Sequence, residues 1–220
     1  MRSGEHIYRG DYRSGPQMAR EAGLCVENIH TPFQVQDDIW SDNLAGEASI
    51  ECYLQCISDC VEFDIPTMVV HLPDDDKPYN ALGLDRMKRL AEKAEKFAVS
   101  VALENLNNFG NLSFILGQVD SPRVGFCYDC CHHYTYYPEA DLLGMYGSRM
   151  MALHLHDRKD KIHLLPFDGW LDWKRIMQDV KKNGYIGPTA IEAMNWGYPD
   201  LTAAEFLHRA IEGARKLAAF

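Results

Sequence analysis

The sequence predicts an α/β fold in which parallel strands, each followed by a helix, form a (β/α) barrel. Short apolar runs alternate with amphipathic helical segments along the chain. The strand cores are almost continuously apolar, as in Val99-Ser100-Val101-Ala102-Leu103, which is typical of strands buried on both faces. Polar residues able to bind a metal or move protons stand where these strands end. Repeated βα units of this kind form a parallel sheet with right-handed crossovers.

The strand pattern occurs in six segments, at residues 26–31, 67–72, 99–104, 124–129, 150–156 and 189–193. A closed barrel of this type has eight strands. A further weak strand is predicted near residues 5–8. We therefore expect a single domain over residues 1–220 whose barrel lacks its first one or two βα units. An uncovered parallel edge favours association, so we expect a homo-oligomer that covers it.

The helical pattern is clearest at residues 48–63, 82–97, 172–183 and 202–219. Apolar residues recur there at i, i+3 and i+4, with charged residues on the opposite face. Gly184 is predicted to follow the C-terminus of the third of these helices. Thr202 or Asp200 is predicted as the N-cap of the last one.

Composition excludes several classes of protein. Of the 220 residues, 46% are hydrophobic and 25% charged, as in soluble globular domains. No apolar run approaches the ~20 residues of a membrane span. No apolar segment follows the basic residue near the N-terminus, as it would in a secretory signal. We therefore expect a cytoplasmic protein without membrane partners. The net charge of −10 disfavours nucleic acid as a partner. The seven cysteines are an odd number, which predicts free structural thiols.

The strand ends predict a metal site. In a parallel barrel the C-terminal ends of all strands meet at one mouth, so residues far apart in sequence converge there. Carboxylates and imidazoles are costly to bury alone, but around a cation their charge and lone pairs are used. Glu104, Asp129, His154 and Glu192 would supply mostly oxygen with one nitrogen. Such a set predicts one divalent cation, Mn²⁺, Mg²⁺ or Co²⁺, with Zn²⁺ as an alternative.

Each single residue also has a simpler interpretation. His30 and His71 could be satisfied histidines at strand ends without a ligand role. Between the two histidines near residue 155, we predict that His154 is the ligand and that His156 is a neighbour or faces a helix. Asp157 is predicted to orient a ligand.

Several segments, in this order, resemble the strand ends of the xylose isomerase-like superfamily of TIM barrels. The superfamily includes sugar-phosphate isomerases and epimerases, inosose dehydratases and the type-IV apurinic endonucleases. The resemblance runs from about residue 22 to the C-terminus. It is carried by Ile29-His30-Thr31-Pro32-Phe33, Val69-Val70-His71-Leu72-Pro73, Ala102-Leu103-Glu104-Asn105-Leu106, Tyr128-Asp129-Cys130-Cys131-His132, Leu153-His154-Leu155-His156-Asp157, His163-Leu164-Leu165-Pro166-Phe167-Asp168-Gly169 and Ala190-Ile191-Glu192.

The resemblance implies a sugar or sugar-phosphate isomerase or epimerase. It assigns Glu104, Asp129, His154 and Glu192 as the metal ligands. It also assigns Glu104 and Glu192 as the acid/base pair that moves a proton through an ene-diolate next to a carbonyl. The substrate would be a small carbohydrate or sugar phosphate, contacted by His30, His71, Asn107, His132, His163 and Trp196.

Three other functions stay open at this level. A metal and a base would also support water elimination, as in an inosose-type dehydratase. A phosphodiesterase of the apurinic endonuclease type uses three zinc ions and nine ligands; this chain offers eight, with Lys161 where the ninth, an aspartate, is expected. A barrel remnant without catalysis is the third. The chain also departs from the family at Phe167, which replaces a glycine after Pro166.

Overall fold

The computed structural model describes residues 13–220, and these form an open barrel of parallel strands covered by helices. The five strands pair in sequence order as β1 (Asn28–His30), β2 (Thr67–Val70), β3 (Ser100–Glu104), β4 (Val124–Asp129) and β5 (Met150–His154). The ring centroids of His30 on β1 and His154 on β5 are 5.8 Å apart, so the sheet curls across its own width. The predicted α/β barrel fold is confirmed. The weak strand predicted at residues 5–8 lies outside the described residues.

Helices separate the strands, with one helix before β1, two between β4 and β5, and two after β5. They are α1 (Ser14–Glu21), α2 (Leu44–Glu62), α3 (Ala81–Phe97), α4 (Phe109–Gln118), α5 (Cys130–Tyr136), α6 (Leu142–Tyr146), α7 (Trp173–Lys182) and α8 (Ala203–Ala218). Short 3₁₀ segments occur at Phe33–Asp38, Gly147–Arg149 and Asn195–Gly197. The predicted helices correspond to α2, α3, α7 and α8. Thr202 caps α8 in a reciprocal pair of hydrogen bonds with Glu205, which settles the choice between Thr202 and Asp200.

The strand predicted at residues 189–193 is largely wrong, because only Ile191 pairs there, in a parallel bridge with Leu155. The Leu155 N–H donates to the Ala190 carbonyl (3.0 Å), and the Glu192 N–H donates to the Leu155 carbonyl (3.1 Å). Pro188 has no N–H to donate, which limits any extension of the pairing towards the N-terminus. Even so, these hydrogen bonds place Glu192 beside the end of β5.

Side chains of the strands alternate between the helices and the barrel interior. The interior carries a layer of small apolar residues, Val69, Ala102, Cys127 and Ala152, all of them essentially inaccessible to solvent. Two residues further along the same strands, and therefore on the same face, are His71, Glu104, Asp129 and His154. The polar cluster is thus the next layer of the barrel, lying directly above a floor of small side chains.

A bulge between β4 and β5 sets which β5 residues join that layer. Phe126 pairs with Met150, but Cys127 pairs with Ala152, so Met151 is the extra residue. Without this shift of one residue, β5 would present Met151 and Leu153 beside Cys127 and Asp129. With it, Asp129 pairs directly with His154.

Among residues 13–220, no helix has the length and apolar composition needed to cross a membrane.

Candidate metal centre and active site

Glu104 lies at the middle of the polar cluster. Its side chain is 1% exposed and is approached by imidazoles from several strands. Oε2 of Glu104 lies 2.9 Å from His154 Nδ1 and 3.2 Å from His71 Nε2, and Oε1 lies 3.2 Å from His132 Nδ1. Glu104 ends β3, whose apolar interior places this carboxylate where water cannot solvate it.

Hydrogen bonds fix both the backbone and the carboxylate of Asp129. Its backbone is bracketed by the Asn105 side chain, which accepts from the Asp129 N–H (2.9 Å) and donates to the Asp129 carbonyl (2.8 Å). Oδ1 accepts from the His132 N–H (2.7 Å), as the N-cap of α5. Oδ2 lies 2.9 Å from His156 Nε2 and 3.3 Å from His132 Nδ1. The carboxylate is therefore fixed in position before any ligand binds.

His154 Nδ1 and Glu192 Oε2 lie close to other charged groups but lack an aligned hydrogen bond. His154 Nδ1 lies 2.9 Å from Glu104 Oε2 and 3.3 Å from Glu192 Oε2. Nevertheless, His154 Nδ1 and Glu192 Oε2 are both buried without a hydrogen bond, as is His132 Nδ1. Close approach without hydrogen-bond alignment means that these atoms surround a common point rather than bond to one another.

The electrostatics of the cluster favour a cation. Burial raises the pKa of Glu104, but the imidazoles of His154 and His71 outweigh it and hold that pKa well below its ordinary value. Burial also raises the pKa of Glu192, and the nearby Glu104 and Asp129 carboxylates add to this, bringing it to about 8. The His154 imidazole opposes this rise in the pKa of Glu192 but does not cancel it, so Glu192 lacks a full counter-charge, which a bound cation would supply.

The predicted ligand set comes together in space. Glu104, Asp129, His154 and Glu192 each offer one donor atom, and these atoms all lie within 4.8 Å of one another. Three carboxylate oxygens and one imidazole nitrogen fit Mn²⁺, Mg²⁺ or Co²⁺, and also Zn²⁺. The unpartnered His154 and Glu192 atoms meet the requirement that a metal site leave its donors free for the ion.

Two of the predicted substrate contacts, His30 and His71, lie against Glu104 on the β1 side. Their Nε2 atoms are 3.0 Å apart, and they lie 3.5 Å and 3.2 Å, respectively, from Glu104 Oε2. Nδ1 of His30 donates to the Thr31 carbonyl (2.8 Å), and Nδ1 of His71 donates to Gln36 Oε1 (2.8 Å). Both rings therefore direct an Nε2 lone pair at the same space.

His132 and His163 lie on the other side of the cluster, together with His156. The rings of His156 and His163 stack at 4.1 Å, and His132 meets both edge-on. His163 Nδ1 donates to the Glu192 carbonyl (3.1 Å). The alternative in which His156 faces a helix is wrong, because residues two apart on a strand face the same side, and the bulge in β5 makes that side the barrel interior.

Asn107 and Trp196 are placed further from the ligand set. Asn107 lies on the loop after β3, and its Oδ1 accepts a hydrogen bond from the Tyr137 hydroxyl (3.3 Å). Trp196 is 60% exposed, and its ring lies 5.9 Å from that of His163. Both residues border the mouth of the barrel rather than the cluster itself.

Sequence reasoning assigned the wrong role to two residues near the site. Cys127, interpreted as merely structural, lies in the floor within 4.8 Å of donor atoms of Glu104 and His154. Asp157 does not orient a ligand as predicted. Its buried carboxylate instead accepts hydrogen bonds from the following loop and from Trp173 Nε1 (2.8 Å). The i+2 spacing of Cys127 to Asp129 was a usable signal for the first, but no local signal marked the second.

Known proteins support the fold and the family. Uncharacterized protein MJ1311 of Methanocaldococcus jannaschii is 26% identical over 187 residues, covering 76% of this chain and 64% of that protein. An inosose isomerase of Halalkalibacterium halodurans is 26% identical over 140 residues, covering 56% of this chain and 50% of that protein. The matched segments thus span about half to two thirds of the length of these curated relatives.

Among solved structures, the IOLI protein with a bound zinc atom superposes with a TM-score of 0.73 at 16% identity, covering 98% of this chain and 84% of that one. At this identity the likeness shows the fold alone. The profile of one family matches residues 5–216, almost the whole chain. On this match, and with the open parallel barrel described above, the chain belongs to the xylose isomerase-like TIM barrel family.

Proposed function

We propose that this protein is a divalent-metal-dependent isomerase or epimerase of a small sugar or sugar phosphate. The observation that carries the proposal is the convergence of Glu104, Asp129, His154 and Glu192 within 4.8 Å of one another, two of their donor atoms being buried without a partner. The similarity to an inosose isomerase agrees with this class of substrate.

The two glutamates would divide the proton transfer. Glu192 has a side chain 24% exposed and so faces the mouth of the barrel, whereas Glu104 is buried below it. One of them, ionised, would remove the proton from the carbon next to the substrate carbonyl, and the other, protonated, would return a proton on the opposite face, with the roles exchanged in the reverse reaction. A bound cation would supply polarisation of the substrate oxygens, which makes that carbon more acidic.

The residues around the ligand set would bind and orient the sugar. Trp196 offers an exposed aromatic face at the rim beside His163. His132, whose Nδ1 is buried and unpartnered, offers a polar contact near Glu104 and Asp129. Elimination of water from an inosose-type substrate would use the same base and the same ligands, so product analysis must separate the two reactions.

The test is a metal analysis of the purified protein followed by a panel of ketoses, aldoses and their phosphates, with a proton-exchange assay in deuterated water. Glu192→Gln should abolish turnover and leave the fold intact, because glutamine is isosteric but cannot take the proton. Glu95→Gln on the exposed face of α3 is the matched control and should behave as wild type. Full activity of Glu192→Gln would remove this residue from the mechanism.

A second candidate, a multinuclear phosphodiesterase, is favoured by the pair His30 and His71. Their Nε2 lone pairs face each other and Glu104 Oε2, which is the arrangement of a second cation site sharing that carboxylate. Burial lowers the pKa of His71, so a proton is a poor substitute for a cation between the two rings. One bound ion per chain would favour the isomerase, and three zinc ions with phosphodiester cleavage would favour this alternative.

A further inference from the structure

His156 is a completely buried histidine with both ring nitrogens engaged. The His163 N–H donates to Nδ1 (2.9 Å), so Nδ1 carries the lone pair. The proton of the neutral ring is therefore on Nε2, which lies 2.9 Å from Asp129 Oδ2 and donates to it. These contacts fix one tautomer, and with it the direction of the N–H.

This tautomer determines whether His132, His156 and His163 can bind a cation together. Their ring nitrogens lie close enough to suggest a cation site. However, neither nitrogen of His156 has a lone pair to offer, since one accepts from the main chain and the other carries the proton donated to Asp129. Metal binding by His156 would require breaking one of these buried hydrogen bonds.

The backbone conformation of His163 directs its N–H towards His156 Nδ1. His163 adopts φ +59°, in the left-handed region that is unfavourable for a residue other than glycine. The loop that contains it is anchored by an antiparallel bridge between Asp157 and Leu164. A strained residue held in place by such an anchor is what a positioning role requires.

We propose that His156 is a positioning residue, which fixes Asp129 Oδ2 through its Nε2–H and whose tautomer is set by the main chain of His163. The proposal rests on the proposed function in one respect, namely that Asp129 binds the cation. Asp129 Oδ1 is already fixed by the His132 N–H, so His156 completes the orientation of this carboxylate. An N–H group that donates a hydrogen bond to a metal-binding side chain typically increases metal affinity about 10–100-fold.

The first measurement is Co²⁺ titration of the metal-free protein, with bound ions counted by elemental analysis. His156→Leu should weaken Co²⁺ binding about 10–100-fold without changing the number of ions. His156→Gln retains an N–H at nearly the reach of Nε2 and should recover part of that loss. His133→Leu is the matched control, because His133 is also buried with both nitrogens bonded, to the Tyr128 hydroxyl and the Ala140 carbonyl, but outside the cluster.

Unchanged affinity in His156→Leu, or loss of one ion per chain in both His156 variants, would overturn the proposal. A second measurement does not depend on metal: ¹⁵N NMR of the metal-free protein should show His156 protonated at Nε2 and not at Nδ1. The opposite tautomer would overturn the proposal as well. Failure of wild type to bind Co²⁺, with the expected tautomer present, would instead refute the proposed function and leave His156 as the residue that orients Asp129.

Discussion

Replacing Asp157 by asparagine should strongly destabilise the protein. Oδ1 of Asp157 accepts from the N–H groups of Arg158 (2.8 Å) and Leu171 (3.2 Å), and Oδ2 accepts from the Phe167 N–H (3.0 Å) and Trp173 Nε1 (2.8 Å). Asparagine has a single acceptor oxygen, so one pair of donors would face an NH₂ group. A hydrogen bond to a charged acceptor contributes about 1.5–3 kcal/mol. Losing a pair of them should cost about 3–6 kcal/mol.

The assay is thermal and urea unfolding of the metal-free protein, so that metal binding does not contribute. At about 2–4 °C per kcal/mol for a chain of this length, the Tm should fall by roughly 6–24 °C. Asp172→Asn is the control, because Asp172 caps α7 by accepting from the Arg175 N–H and asparagine caps a helix equally well. If the two variants unfold within about 0.5 kcal/mol of each other, the assigned role of Asp157 is incorrect.

Three further predictions concern the bulge, the loop and the metal. Gly125→Ala should lower the free energy of unfolding by about 1–3 kcal/mol and weaken metal binding, because the added Cβ would lie 2.3 Å from the Arg149 carbonyl oxygen beside the bulge. Gly117→Ala, which has open space around the added Cβ, is the control and should change neither quantity. The measurements are chemical denaturation and Co²⁺ titration. Phe167→Gly should be more stable than Phe167→Ala by about 0.5–1 kcal/mol, because residue 167 has φ +75° and both variants remove the ring; equal Tm values would contradict this. In the presence of free metal at about 100 times its Kd, the Tm should be roughly 5–11 °C higher than after the metal has been removed with a chelator. An unchanged Tm would argue against a structural contribution of the ion.

The sequence predicted the strand ends well because their signal is local. An acid directly after a buried apolar run, as in Val101-Ala102-Leu103-Glu104, needs a partner, and a parallel barrel brings such residues to one mouth. The strand around Glu192 was predicted too long, because β-propensity does not reveal that only Ile191 finds a partner. Asp157 was misjudged because the groups that it binds lie up to 16 residues away in an irregular loop.

The position of His154 illustrates what local patterns cannot supply. In an unbroken register β5 would present Leu153 beside Asp129, and the interior would carry Met151 in place of Ala152. The bulge is accommodated by Gly125, whose missing side chain leaves room for Met151 and for the Arg149 carbonyl. Because one extra residue moves both His154 and His156 onto the interior face, the same bulge that supplies the proposed nitrogen ligand also supplies the N–H that donates to Asp129 Oδ2. The ligand set and its supporting hydrogen bonds are therefore coupled through one irregularity of the backbone, and a change that straightened β5 should remove both together.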